Sequence, residues 1–141
     1  MSPRLKSLEP MPTKVVPKAW GEEHWIVNRE YCGKKMILKR GYRCSLHFHK
    51  DKDEVFYVVS GRILLELGDG ARVMGPGDHH HIPVGVEHRF WGIEDAEIME
   101  FSTHHRDEDS YRVPGHESGA FAPAELDERL RALAQDREAE Q

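Results

Sequence analysis

Three histidines and one glutamate carry the chemistry that is legible in this chain. His47 and His49 stand in an H-x-H pair, Glu54 follows after four intervening residues, and His88 closes a second run, GDHHHIPVGVEH. In a β-strand alternate residues share a face, so His47 and His49 point the same way. Glu54 opens the next strand after a short charged loop, on the face shared by Phe56 and Val58. His88 arrives from a separate hairpin whose turn is set by Pro83 and Gly85. Three imidazole nitrogens and one carboxylate at one interior point suit a single divalent transition metal ion, with manganese, iron, cobalt, nickel or zinc all acceptable to the set. Positions left over for water or substrate are what a catalytic centre needs, whereas structural sites are closed. His79, His80 and His81 cannot all serve one ion, because consecutive strand residues alternate faces; His80 or His81 is a candidate for the pocket wall.

The elements that must hold these residues are short strands. From Trp20 to Thr103 runs such as KKMILKR, YRCSLHFH, EVFYVVSG, RILLELG, EHRFWG and AEIMEFST alternate with CGK, GDG, GPGD and PVG turns. Evenly spaced short strands with Gly/Pro turns indicate an all-β sandwich or barrel. Residues 1–18 carry Pro3, Pro10, Pro12 and Pro17, which exclude a helix and leave an extended arm. Residues 19–113 form the β-barrel, and 114–141 an acidic tail. In that tail Leu126, Leu130 and Leu133 mark one stripe of an amphipathic helix over about 123–138.

Composition narrows the partners. The 141 residues fit one domain, 32% are charged, and the formal net charge is −5. Residues 107–141 account for −6 of that charge, so the body is nearly neutral. Neither a basic face for nucleic acid nor an apolar run for a membrane is present, and the expected location is the cytoplasm. Cys32, in a turn-like YCGK, and Cys44, opposite the histidines by strand parity, read as unpaired structural residues. Lys34, Lys35, Lys39, Arg40, Arg43, Lys50 and Lys52 crowd the first histidine motif, and a positive rim there would attract an anionic small molecule.

The spacing of Gly41, His47, His49, Glu54 and Gly61, then of Gly77, Pro83, Gly85 and His88, resembles both signature motifs of the cupin superfamily. The resemblance covers about Trp20 to Arg112. It implies a single cupin jelly-roll β-barrel, usually a homodimer, with His47, His49, Glu54 and His88 as metal ligands. One departure is Gly92, where the second motif usually ends in Asn. A narrower likeness, in KAWG, GYRCSL, IPVGVEHRF and EIMEFST…DEDSYR, is to the cupin domain of phosphomannose isomerases fused to mannose-1-phosphate guanylyltransferases. Arg43 and Ser45 stand at that group's GxRxSL segment, and Lys52 stands where the group carries an arginine. His47 replaces a glutamine usual there, which returns the shell to an ordinary cupin pattern.

The chemistry expected on this basis is sugar or sugar-phosphate isomerisation or epimerisation by metal-assisted proton transfer. Glu100 is the candidate base, a carboxylate inside an apolar strand. It shares a face with Ile98, while Glu97 shares the other with Met99 and Phe101, so parity alone leaves its side open. Arg43, Ser45 and Lys52 are the substrate-binding candidates. In the polar exit STHHRDEDSYR, His104, His105, Tyr111 and Arg112 are placed to reach the mouth. An oxygen-dependent iron dioxygenase and a non-catalytic sugar-binding module stay open as alternatives.

Overall fold

The computed structural model describes residues 2–139. The alternating runs become thirteen strands. They are β1 (Lys14–Lys18), β2 (Gly21–Asn28), β3 (Tyr31–Leu38), β4 (Tyr42–Arg43), β5 (His47–Phe48), β6 (Glu54–Ser60) and β7 (Ile63–Leu67). The remainder are β8 (Gly70–Met74), β9 (His79–Ile82), β10 (His88–Gly92), β11 (Ala96–Thr103), β12 (Tyr111–Arg112) and β13 (Gly119–Ala120). A short 3₁₀ turn spans Asp107–Asp109, and helix α1 spans Pro123–Ala139.

Two antiparallel sheets face each other. The first runs β1-β2-β3-β11-β6-β9; in the second, β10 lies between β7 and the broken strand β4/β5, with β8, β12 and β13 outside. This is the jelly-roll expected of the chain. Between the sheets, Met36, Leu38, Phe56, Val58, Ile63, Leu65, Ile82, Phe90 and Ile98 form the apolar core, with Trp20 set edge-on to Phe90 at 5.1 Å. The core occupies one end of the sandwich. At the other end the same inward-facing rows carry charge, and that is where the site lies.

Two expectations are corrected here. The YCGK segment is no turn: Cys32 is buried within β3, and the reversal falls at Arg29 and Glu30. Within the expected arm, Lys14–Lys18 pairs with β2, and Pro17 is tolerated because β1 is an edge strand. Strand parity fails between Tyr42 and Phe48, because the strand is interrupted. Cys44 N–H donates to Phe90 O and Leu46 N–H to His116 O, so both Cys44 and Ser45 turn inward.

Gly92 has a local reason. A Cβ there would lie 2.5 Å from the Lys39 carbonyl oxygen, so the close approach of β10 to the chain after β3 excludes any side chain, the usual Asn included. Helix α1 buries no residue completely; Leu126, Leu130 and Leu133 are half-covered, and the helix is tied to the barrel by Glu125.

Candidate metal centre

His47 comes from β5, His88 from β10 directly opposite it in register, and His49 from the residue just past β5. Their candidate ligand nitrogens all lie within 4.8 Å of one another. Each ring is oriented the same way. His47 Nδ1 lies 2.7 Å from Ser45 O, His88 Nδ1 2.9 Å from Val86 O, and His49 Nδ1 3.0 Å from Asp109 O. A carbonyl can only accept, so each Nδ1 carries the hydrogen and each Nε2 of a neutral ring presents a lone pair.

Glu54 enters this convergence from the opposite sheet. Its Oε1 is 3.0 Å from His88 Nε2 and 3.6 Å from His49 Nε2. Among the described residues, Glu54 Oε1 and His88 Nε2 are buried without a hydrogen-bond partner, while Glu54 Oε2 faces the Lys52 ammonium. A carboxylate facing bare imidazole lone pairs at this range is an acceptor against acceptors, and only a proton or a cation between them relieves it. The donor set fits a divalent transition metal: neutral imidazoles fixed by carbonyls behind them, and one anionic oxygen. Burial, with the neighbouring His88, pushes His47 down to about 3, which keeps the ring neutral and ready to ligate.

A cavity of about 300 Å³ opens beside this cluster. Lys52 and Glu100, both 3% exposed, form its charged wall. Lys52 Nζ is 3.1 Å from Glu54 Oε2 and 3.1 Å from Glu100 Oε2, and also 3.1 Å from His105 Nδ1. Burial works against the Lys52 ammonium, but Glu100 and Glu54 outweigh it and hold its pKa above the ordinary lysine value. Burial likewise opposes ionisation of Glu54, yet His88 and Lys52 keep that carboxyl well below the usual range. Glu100 goes the other way: burial, reinforced by the Glu54 charge, raises it despite the two lysines nearby. Its Oε2 accepts from both Lys52 Nζ and Ser102 Oγ, while Oε1 takes no hydrogen bond among the described residues.

Strand parity for Glu100 is thereby decided: Ile98 and Glu100 face in, and Phe101 is 53% exposed on the outer face. Ser45 lines the cavity and orients His47 through its carbonyl. Lys52 lines the cavity too, but its charge is already matched by carboxylates, which argues against its use as the anion holder. Arg43 is not brought to the site. Its Nη1 donates to Glu125 Oε2 at 2.9 Å and its guanidinium stacks 4.5 Å from the Trp91 ring, on the outer face beneath α1. His80 and His81 are elsewhere as well, beside Arg72 and paired with Asp53 respectively. Of the exit segment, His105 and Arg112 line the cavity, His104 Nδ1 donates to Arg29 O, and Tyr111 stacks on Phe48.

Asp109 escaped the sequence reading. It is 2% exposed; its carboxylate accepts the backbone N–H groups of Lys50, Asp51 and Lys52, and its carbonyl orients His49. One residue thus shapes the loop between His49 and Glu54 and aims a candidate ligand. Its only trace in the sequence is the density of polar residues in RDEDSYR.

Several known proteins are similar to parts of this chain. An oxidoreductase of Arthrobotrys oligospora is 31% identical over 70 residues, 49% of this chain and 28% of that protein. The polyketide synthase CurC of Streptomyces cyaneus is 33% identical over 61 residues, 43% of this chain and 40% of that protein. The chain therefore spans well under half the length of these curated relatives. Among solved structures, KdgF from Halomonas sp. superposes with a TM-score of 0.58 at 24% identity, covering 62% of this chain and 81% of that one. An RmlC-like cupin from Shewanella frigidimarina gives 0.62 at 19%, covering 68% and 87%. Oxalate decarboxylase from Bacillus subtilis gives 0.64 at 17%, covering 77% and 33%. At these identities the structures speak for the fold alone. The cupin domain family matches residues 34–105, about half the chain, and takes in β3 to β11 with all four candidate ligands. On that match, and on the jelly-roll that carries it, this chain belongs to the cupin domain family.

Proposed function

We propose that this protein is a metal-dependent enzyme that moves a proton between adjacent carbons of a small, oxygen-rich substrate, of the sugar or sugar-phosphate isomerase or epimerase class. The observation that carries the reading is Glu100: a buried carboxyl of raised pKa, anchored by one oxygen to Lys52 and Ser102, with its second oxygen free at the cavity. A divalent ion held by His47, His49, Glu54 and His88 would supply Lewis-acid polarisation of the substrate's oxygens. Glu100 Oε1 takes the carbon-bound proton and returns it to the neighbouring carbon. Lys52 spans Glu54 and Glu100, so a change of charge at either carboxylate is felt at the other. A carboxyl raised toward neutrality is matched to both halves of such a transfer. The narrower sequence likeness to phosphomannose isomerase cupin domains supports the same substrate class.

A second reading has one observation in its favour: the 31% identical relative is named an oxidoreductase. With iron, three histidines and a glutamate would serve oxygen-dependent chemistry. The two readings separate in one experiment. Protein loaded in turn with Mn, Fe, Co, Ni or Zn is incubated with aldoses, ketoses and their phosphates in D2O and followed by proton NMR, with oxygen uptake recorded in parallel. Metal-dependent loss of a C–H signal without oxygen uptake, abolished in Glu100→Gln, is the expected result. Oxygen consumption confined to the iron form would favour the second reading. Binding of a sugar with no exchange at full metal occupancy would overturn both and leave a sugar-binding module.

A further inference from the structure

The first sheet carries an unusual row across its inner face. Register pairs Lys14 with Trp25, Trp25 with Lys34, Lys34 with Glu100, and Glu100 with Phe56. Paired residues on neighbouring strands share a face, so cation, indole, cation and carboxylate stand side by side above the cavity. Lys34 is 1% exposed. Its ammonium lies 4.2 Å from the Trp25 ring centroid, and the exposed Lys14 covers the same indole at 4.5 Å. Its nearest carboxylate oxygen, Glu23 Oε1, is 3.8 Å away, beyond hydrogen-bonding distance, and is shared with Lys18 at 3.9 Å and with Trp25 Nε1–H at 3.0 Å. Among the described residues the Lys34 ammonium makes no hydrogen bond.

A buried ammonium with three donors and no acceptor is costly unless something else fills the place. Burial lowers the Lys34 pKa from the ordinary lysine value, which is the same cost seen as a proton equilibrium. Lys52, at comparable depth, is held by two carboxylates; Lys34 is not. The cavity wall carries Lys14, Lys18, Lys34, Lys52 and Arg112 against Glu23, Glu54, Glu100 and Asp107, so a divalent ion at the histidines leaves the whole space positive.

From this geometry we infer that Lys34, supported by Lys14 and Lys18, is an oxyanion-binding subsite that holds a phosphate or carboxylate group of the substrate. The inference rests on the proposed function for the word substrate, and it moves the anion contact from Arg43 and Lys52 to the β1–β3 side of the cavity. Strand β3 stands two strands from β6, roughly 10 Å at the usual interstrand spacing. Glu100 lies on β11 between them. A substrate spanning the two ends would carry its anionic group at one terminus and its reacting carbons beneath Glu100. Strand β1, from the N-terminal segment, completes the subsite.

The test is calorimetric titration of metal-loaded protein with inorganic phosphate and, separately, with acetate at low ionic strength. Wild type is compared with Lys34→Gln, Lys34→Arg and the double variant Lys14→Gln/Lys18→Gln. Phosphate is expected to bind one to one and to weaken about tenfold or more in Lys34→Gln, a loss of about 1.4 kcal/mol. The surface double variant should weaken it less, and Lys34→Arg should retain it, with metal content unchanged throughout. Tighter binding of phosphate than acetate assigns the subsite to phosphate esters, and the reverse order to carboxylates. His88→Gln protein, stripped of metal, serves to separate the subsite from the ion: phosphate binding that persists there and still depends on Lys34 supports the subsite. Equal affinity in wild type and Lys34→Gln, or binding that follows metal content alone, overturns it. If Lys34→Gln does not fold, the surface double variant decides, since Lys14 and Lys18 bear on no core contact; unchanged phosphate affinity there overturns the subsite. Absence of C–H exchange with phosphate binding still dependent on Lys34 would overturn the reaction and leave the subsite standing.

Discussion

Replacing Lys52 with methionine removes the charge that two buried carboxylates share while keeping most of the side chain's volume. Both contacts are 3.1 Å, and the lysine is 3% exposed. Taking one partner from a buried ion pair costs roughly 3–5 kcal/mol. The lower end applies here, because Glu100 is already raised and would take up a proton when its lysine is lost, leaving Glu54 as the uncompensated charge. A loss of about 3 kcal/mol in a domain of this size lowers Tm by roughly 10–15 °C. The assay is thermal unfolding of chelator-treated Lys52→Met against wild type at pH 7. The sign with pH follows from the directions of the shifts. Wild-type Glu54, held low, contributes stability that is present above its unfolded pKa and is lost only as pH falls through its folded value. Lys52, held high, contributes stability that is complete below its unfolded pKa and is lost as pH rises toward the folded value. In Lys52→Met both carboxyls rise, so the deficit against wild type should shrink from pH 7 to pH 5. Saturating metal should shrink it too, because an ion on Glu54 takes over the charge compensation. A Tm within about 3 °C of wild type in chelator, where 3 °C is under 1 kcal/mol, would refute the clamp. So would a deficit that does not change with pH.

Other consequences are quicker to check. His88→Gln should lower metal affinity roughly 100-fold or more, beyond the loss that disturbing a ligand's hydrogen-bond partner brings; stoichiometry by mass spectrometry of the metal-loaded proteins reads this directly. Chelator-treated protein should lose stability as pH falls below the ordinary histidine range. His47 is depressed to about 3 by burial and His88, and His105 to about 4 by burial, Lys52 and Lys34, so the unfolded chain takes up these protons first. The loss from His47 alone is on the order of 2 kcal/mol between pH 7 and pH 5, and a urea midpoint that is flat over this range would contradict it. Gly92→Asn, which restores the residue usual at the end of the second motif, should destabilise by about 2 kcal/mol or more, because its Cβ would meet the Lys39 carbonyl at 2.5 Å. Denaturant unfolding that places Gly92→Asn level with wild type would show that the loop after β3 yields.

What the sequence made legible was whatever depends on short-range order. The period-2 runs located β2, β3 and β6 to β11 to within a few residues, because hydrophobic alternation and Gly/Pro turns are local signals. The convergence of the candidate quartet was legible for the same reason: spacing along two hairpins brings His47, His49, Glu54 and His88 together without knowledge of the rest. Parity arguments failed where a strand breaks. Arg43 and Ser45 were placed on one face by assuming a continuous strand, and the interruption at Cys44 and Ser45 sends Arg43 outward to Glu125, 82 residues away. Lys34 was legible only as one of seven basic residues in the expected positive rim, since a lysine in a strand ordinarily faces water. Its burial comes from Trp25 and Glu100 on the two neighbouring strands, which no local pattern announces. Glu100 needed the same cross-strand knowledge before its side could be assigned.

The dependence of His49 on Asp109 bears on where this domain can be cut. The family match ends at residue 105, and all four candidate ligands and the strands from β1 to β11 lie before that point. The carbonyl that aims His49, and the carboxylate that gathers the backbone of Lys50 to Lys52, lie four residues beyond it. A chain trimmed at the family boundary would keep every candidate ligand and lose the brace that points one of them, together with the residue that shapes the loop bearing Lys52. The functional unit of this protein is thus longer than its homologous core, and the added stretch has the character of a keystone: it contributes no ligand, yet the arch of ligands leans on it.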